Sequence, residues 1–203
     1  RPHIGRLAVN IESQKVDAIS DNEILALIAG MPNTPAGARW TAAIMIMALY
    51  GLRPVELKHI YVRTDKKTGE DYLWCSYEKR AGGGVTKPRS LEPLPIGGEN
   101  WNILMSLKTQ LIELPPLNGK AGVGDACLKY IKKRPVYEDL KKTLAQRGER
   151  FGTYSFRHSY SLRGHKLGID AGSVADAMGH TLECHLRAYP WASSETRAQA
   201  FQV

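Results

Sequence analysis

This chain of 203 residues has little of what marks several common protein classes. Cysteine is scarce: Cys75, Cys127 and Cys184 are far apart, odd in number and in no Cys-x-x-Cys or mixed Cys/His ligand pattern. Neither a disulfide framework nor a zinc site is supported, and free buried thiols in a reducing compartment are expected. Long apolar runs are missing; the longest, residues 42–50, falls well short of the roughly 20 residues that span a bilayer. Nothing near the start resembles a signal peptide. No block of like charge forms a basic tail, and no repeat or low-complexity segment appears. The loop over 115–124 holds glycines and Lys120 but lacks the spacing of a nucleotide phosphate loop.

What is present is a basic, foldable chain. Hydrophobic residues make up 43%, and 28 Lys+Arg against 20 Asp+Glu give a formal charge of +8. This length and apolar content predict one packed domain. The charge fits a polyanionic partner, because lysines and arginines that neutralise phosphates release condensed counterions. The chain opens on Arg1-Pro2-His3 rather than methionine, so a fragment with a preceding N-terminal portion is expected.

Local signals divide the chain into a helical body with a β insertion. Residues 1–19 read as an irregular lead-in. Ser20 and Glu23 form a capping box ahead of an apolar stripe of Ile24, Leu25, Leu27 and Ile28, predicting a helix over 21–30. A loop over 31–38 and an almost wholly apolar helix over 40–50 follow. Pro54 opens another short helix, where its missing N–H costs nothing. The aromatic stretch 72–77 reads as a strand and 90–94 as an edge strand that tolerates Pro93. Turns are expected at 66–69 and, as a flexible hairpin tip, at 81–84. Together these predict a small three-stranded antiparallel sheet. Helices return over 99–112, 126–133, 135–147, 154–167 and 171–178, with a last turn or helix near Tyr189. The fold class is therefore mainly α with a small antiparallel sheet, an α+β domain.

Chemistry concentrates in the last quarter. Tyr154-Ser155-Phe156-Arg157-His158 is followed by Gly179-His180 and, nine residues after His180, by Tyr189. Far upstream, Gly51-Leu52-Arg53-Pro54-Val55-Glu56-Leu57 places a second arginine after the apolar helix, with Glu56 three residues on to orient it. A guanidinium offers fixed charge and a planar fork for phosphate oxygens. Tyr189 offers a hydroxyl nucleophile whose pKa, near ~10 when free, needs a positive field to fall. His180 precedes Thr181, a helix N-cap, and can donate to a phosphate oxygen. Two arginines, a histidine and a tyrosine suit a phosphodiester site without metal. His158, His165 and His185 are read as structural or surface residues.

Laid out in order, these boxes resemble the catalytic domain of the tyrosine recombinases, the phage-integrase family. The likeness covers roughly 20–195. Its pattern is an arginine in Gly-Leu-Arg-x-x-Glu-Leu, a lysine on a β-hairpin, His-x-x-Arg, Gly-His and a tyrosine. The matching positions are Arg53, Lys79, Tyr154-x-x-Arg157, Gly179-His180 and Tyr189. The resemblance implies a catalytic-domain fold over 20–203, preceded by a DNA-clamping domain whose end would be residues 1–19. It implies a DNA strand transferase acting through a 3′-phosphotyrosyl link to Tyr189, with no cofactor, metal or ATP. Arg53, Arg157, His180 and Tyr154 would stabilise the phosphorane. Tyr154 departs from the usual histidine and is read as a hydroxyl donor in place of an imidazole. Lys79 or Lys87 would be the general acid; the resemblance favours Lys79, at the end of the incoming strand. Lys87 and Arg89 would touch backbone phosphate. Double-stranded DNA, a homotetramer on two sites and a cytoplasmic setting, in a bacterial nucleoid or phage-infected cell, follow from the same likeness. Type IB topoisomerases and telomere resolvases use the same chemistry, and a non-catalytic DNA-binding domain of the same fold is the alternative from another class.

Overall fold

The computed structural model describes residues 16–81 and 84–190. Most of the lead-in, the Gly82-Gly83 tip and the residues after Pro190 lie outside that set. Helix α1 (Asp21–Ala29) starts at the expected capping box: the Ser20 hydroxyl accepts from the Glu23 N–H, and the Glu23 carboxylate accepts from the Ser20 N–H at 2.7 Å. It buries Ile24 and Leu27. Helix α2 (Pro35–Tyr50) begins five residues earlier than its apolar pattern indicated, because Thr34 caps the Gly37 N–H and Pro35 fits the first helical position. The loop before it is correspondingly shorter. Ile44, Ile46 and Met47 are fully buried, so α2 runs through the middle of the core.

Gly51 ends α2 in the left-handed conformation, at φ 63°. A Cβ here would also lie 2.6 Å from the Tyr160 ring, so only glycine fits on both counts. The chain then turns through Arg53 into a 3-10 helix (Pro54–His59). Strands β1 (Ile60–Thr64), β2 (Asp71–Cys75) and β5 (Arg89–Ser90) form an antiparallel sheet in the order β1-β2-β5. Ile60 faces Cys75 across the first pair, and Cys75 faces Arg89 across the second. The turn between β1 and β2 is closed by the Asp65 carboxylate, which accepts from the N–H groups of Lys67 and Thr68.

Two details of the β region differ from the sequence reading. The third strand is only two residues long. After Leu91, whose N–H still donates to the Leu73 carbonyl, the chain leaves the sheet and Leu94 donates to the Leu49 carbonyl at the end of α2. The glycine hairpin is a separate ribbon of β3 (Lys79–Ala81) and β4 (Gly84–Thr86), which pair with each other and with Lys79 opposite Thr86. Lys79 thus opens a ribbon strand rather than closing β2.

The rest is helical: α3 (Ile103–Lys108), α4 (Val123–Ile131), α5 (Pro135–Gln146), α6 (Ser155–Lys166), α7 (Ala171–Ala177) and α8 (Leu182–Ala188). Helix α3 is shorter than the expected 99–112 because Trp101, Asn102 and Gln110 take positive φ and bracket it. Helix α6 packs on α2, and α7 packs on both α6 and α8. A main core surrounds α2; a smaller one gathers Leu94, Tyr160, Val174, Met178 and Tyr189. No helix among the described residues is long and apolar enough to cross a membrane.

Candidate active site

One buried carboxylate organises the site. Glu56, fully buried in the 3-10 helix, accepts from the Arg53 N–H at 2.7 Å and pairs with the Arg53 guanidinium at 2.9 Å. Its two oxygens also accept from both terminal nitrogens of Arg89, at 3.1 and 3.3 Å. A third guanidinium, Arg157, stands 3.6 Å away. Burial alone would raise the Glu56 carboxyl, but Arg157, Arg89 and Arg53 outweigh it and hold the group below the usual carboxylate range. Three cations around one anion leave an excess of positive charge. Such a cluster suits an added anion.

The arginines divide the work unequally. Arg157, in the first turn of α6, is 2% exposed and donates to the Gly51 carbonyl and the Met178 carbonyl, each at 2.5 Å. Burial, then the neighbouring charge of Arg53, lowers its pKa to about 10 despite Glu56, so it stays charged at neutral pH. Arg89 is anchored by a 2.8 Å bond from Nε to the Ala177 carbonyl. Arg53 uses one guanidinium nitrogen on Glu56, and Nε and Nη2 have no hydrogen bond among the described residues. Of the three, Arg53 has most of its fork left for a ligand.

His180 lies in the link between α7 and α8, after Gly179 at φ 66°. A Cβ at Gly179 would come within 2.7 Å of Arg89 Nη1, so this glycine admits the arginine as well as the turn. Thr181 caps α8 as expected, accepting from the Cys184 N–H. His180 Nε2 sits 2.7 Å from Arg157 Nη2. Arginine can only donate, so Nε2 is the acceptor and the ring proton is on Nδ1. That Nδ1 is buried with no partner among the described residues. Burial and then the Arg157 charge lower the His180 pKa to about 2, keeping the ring neutral.

Tyr189 follows α8 directly and is 4% exposed. Its hydroxyl is 2.9 Å from His158 Nδ1, and the rings meet edge-on at 5.5 Å between centroids. Burial raises the phenol above its ordinary pKa; Arg157 and Arg53 pull it down but do not reverse the shift. The positive field expected from the sequence is present, and desolvation exceeds it.

The fold therefore brings together Arg53, Glu56, Arg157, His180 and Tyr189, drawn from elements up to 136 positions apart. Tyr154, just before α6, is 45% exposed, with its ring 6.5 Å from that of His158. Its hydroxyl has no hydrogen bond among the described residues. Lys79 and Lys87 are exposed on the ribbon and beyond it. Lys87 also lines a cavity of about 840 Å³ shared with Arg89, His180 and Thr181. Arg89, expected to touch backbone phosphate, also joins the cluster through Glu56. His158, read as structural or surface, lies 2.9 Å from the tyrosine hydroxyl; its place beside Arg157 on one helical turn was the available signal. Among the described residues no group of three or more His, Cys, Asp or Glu is placed to hold a metal.

Comparison with known proteins gives one informative match. The chain is 34% identical over 170 residues to a protein named Excisase C from Nostoc sp., covering 80% of this chain and 31% of that protein. The chain thus spans about a third of the length of this relative. No protein-family model and no solved structure matches the chain.

Proposed function

We propose that this domain cuts and rejoins DNA as a tyrosine recombinase, through a covalent 3′-phosphotyrosyl link to Tyr189. The observation that carries this reading is the convergence of Arg53, Arg89 and Arg157 on the single carboxylate of Glu56 beside a buried tyrosine hydroxyl. Surplus guanidinium charge beside a tyrosine hydroxyl supports a phosphodiester as the substrate. The name of the Nostoc protein, Excisase C, supports the coarser part of this reading, a role associated with recombination.

In this scheme the Tyr189 oxygen attacks the scissile phosphorus and the 5′ oxygen leaves. Arg53 and Arg157 balance charge on the pentavalent phosphorus, and the unpartnered Nδ1–H of His180 donates to a non-bridging oxygen. Lys79 protonates the departing 5′ oxygen. The bond energy stays in the phosphotyrosyl link, so a second 5′ hydroxyl reverses the reaction without ATP. A homotetramer on two DNA sites, a preceding DNA-clamping domain and action in a bacterial nucleoid or infected cell belong to the same proposal.

The test is covalent trapping on nicked DNA carrying a candidate attachment site. Wild-type protein should form an adduct that survives denaturing electrophoresis, and Tyr189→Phe should bind the DNA equally well and form none. An adduct at wild-type level from Tyr189→Phe would remove Tyr189 from the role. Product topology separates strand exchange from relaxation or hairpin sealing.

A further inference from the structure

The Tyr189 phenol has to lose a proton to attack, and the charge cluster cannot accept it. Arg53, Arg89 and Arg157 are donors only, and His180 spends its acceptor nitrogen on Arg157. Lys79 holds the opposite duty, giving a proton to the leaving oxygen. Tyr154 is exposed and makes no hydrogen bond among the described residues. His158 is different: Nδ1 is already 2.9 Å from the Tyr189 hydroxyl, within reach for direct proton transfer. His158 follows Arg157 on α6, so its imidazole and the anchored guanidinium leave the same helical turn.

Resting on the strand-cleavage reading, we infer that His158 is the general base of the reaction, accepting the Tyr189 proton on Nδ1. The step balances. The Oη–H bond breaks as Nδ1–H forms; Oη–P forms as P–O5′ breaks, and the 5′ oxygen takes its proton from Lys79. On rejoining, the 5′ hydroxyl returns a proton to Lys79 and the leaving phenolate recovers its own from the His158 imidazolium. Each cycle ends with both groups as they began. The base role requires the His158 tautomer with its proton on Nε2, so that the Tyr189 hydroxyl donates to Nδ1. The burial of Tyr189, which makes spontaneous ionisation scarce, is then compensated by a fixed acceptor.

The experiment measures the rate of adduct formation on nicked DNA against pH, for wild type, His158→Asn and His158→Ala. Asparagine keeps an acceptor near the Nδ1 position without basicity, and should melt and bind DNA like wild type. Both variants should react about 100-fold more slowly at pH 7, with the deficit shrinking about tenfold per pH unit as solvent hydroxide replaces the base. Added imidazole should accelerate His158→Ala and leave wild type unchanged. Adduct formation by His158→Asn at the wild-type rate, or a deficit that neither pH nor imidazole relieves, would overturn the assignment. A second measurement works even if these variants are unstable. With wild-type His158, fluorinated tyrosine at 189 should shift the acidic limb of the profile little, because His158 sets it; a shift following the phenol's own pKa overturns the inference. Absence of any adduct from wild type, or its persistence in Tyr189→Phe, would sink the strand-cleavage reading and this inference together, and is recognised before any change at 158.

Discussion

Arg157 donates to His180 Nε2 across 2.7 Å, and this bond decides both the charge and the orientation of the histidine. A cationic imidazole cannot accept from a guanidinium, so the pair requires a neutral ring. The site therefore gains a directed N–H donor at Nδ1 at the expense of a proton that free histidine would bind in mild acid.

That cost predicts the pH dependence of stability. Burial and Arg157 put His180 at about 2, and burial, His165 and Arg157 put His185 at about 4. In the unfolded chain both take protons below about pH 6.5. The unfolded state then binds more protons than the folded one, so stability is complete above that pH and falls as the pH drops below it. Urea midpoints between pH 5 and 7.5 should decline on the acid side, less steeply in His180→Asn. Equal slopes for the two proteins would contradict a neutral, buried His180.

Glu56 should be among the least replaceable residues. Glu56→Gln leaves three guanidiniums close together with no carboxylate, and removing one partner of a buried ion pair costs about 3–5 kcal/mol. Chemical denaturation should show that loss, and millimolar sulfate should recover part of it by occupying the surplus charge. Wild-type stability in Glu56→Gln would mean that the arginines do not depend on the carboxylate.

Lys79 and Lys87 should separate by chemistry. Lys79→Ala should cleave ordinary DNA slowly, and a bridging 5′ sulfur, which leaves without a proton, should restore the rate. Lys87→Ala should weaken binding with a shallower salt dependence and leave the cleavage step intact. Sulfur rescue of Lys87→Ala in place of Lys79→Ala would exchange their roles.

Tyr154 presents an exposed hydroxyl without a partner among the described residues, as a donor awaiting phosphate would. Tyr154→Phe should lose one hydrogen bond to a charged group, roughly 1.5–3 kcal/mol or about ten- to a hundred-fold in cleavage rate, while melting like wild type. Tyr154→His should keep substantial activity. A Tyr154→Phe protein that cleaves at full rate but melts early would make Tyr154 a packing residue.

The sequence made some of this legible because local chemistry sufficed. Ser20 with Glu23, Pro54, and Thr181 ahead of α8 each announced a helix start through a side chain within three positions. Arg53 and Glu56 were readable as a pair for the same reason. What stayed hidden depended on distant partners. Arg89 reads locally only as a phosphate contact, and its bonds to Glu56 and the Ala177 carbonyl stayed hidden because they lie 33 and 88 positions away. His158 looked incidental because only the packing of α8 against α7 and α6 delivers Tyr189 to it. The sign of the Tyr189 shift was also beyond local reading: arginine charge can be counted in a sequence, but desolvation cannot.

The base of the β3–β4 ribbon has a mechanical consequence. Lys79 stands opposite Thr86, and the Thr86 side chain is the third-nearest contact a Cβ at Gly179 would make, at 3.1 Å. Gly179 in turn carries His180. Thr86, buried at the foot of the ribbon, therefore lies beside both the strand position of the proposed acid and the turn that carries the proposed phosphate donor, and a side chain at 179 would press on it.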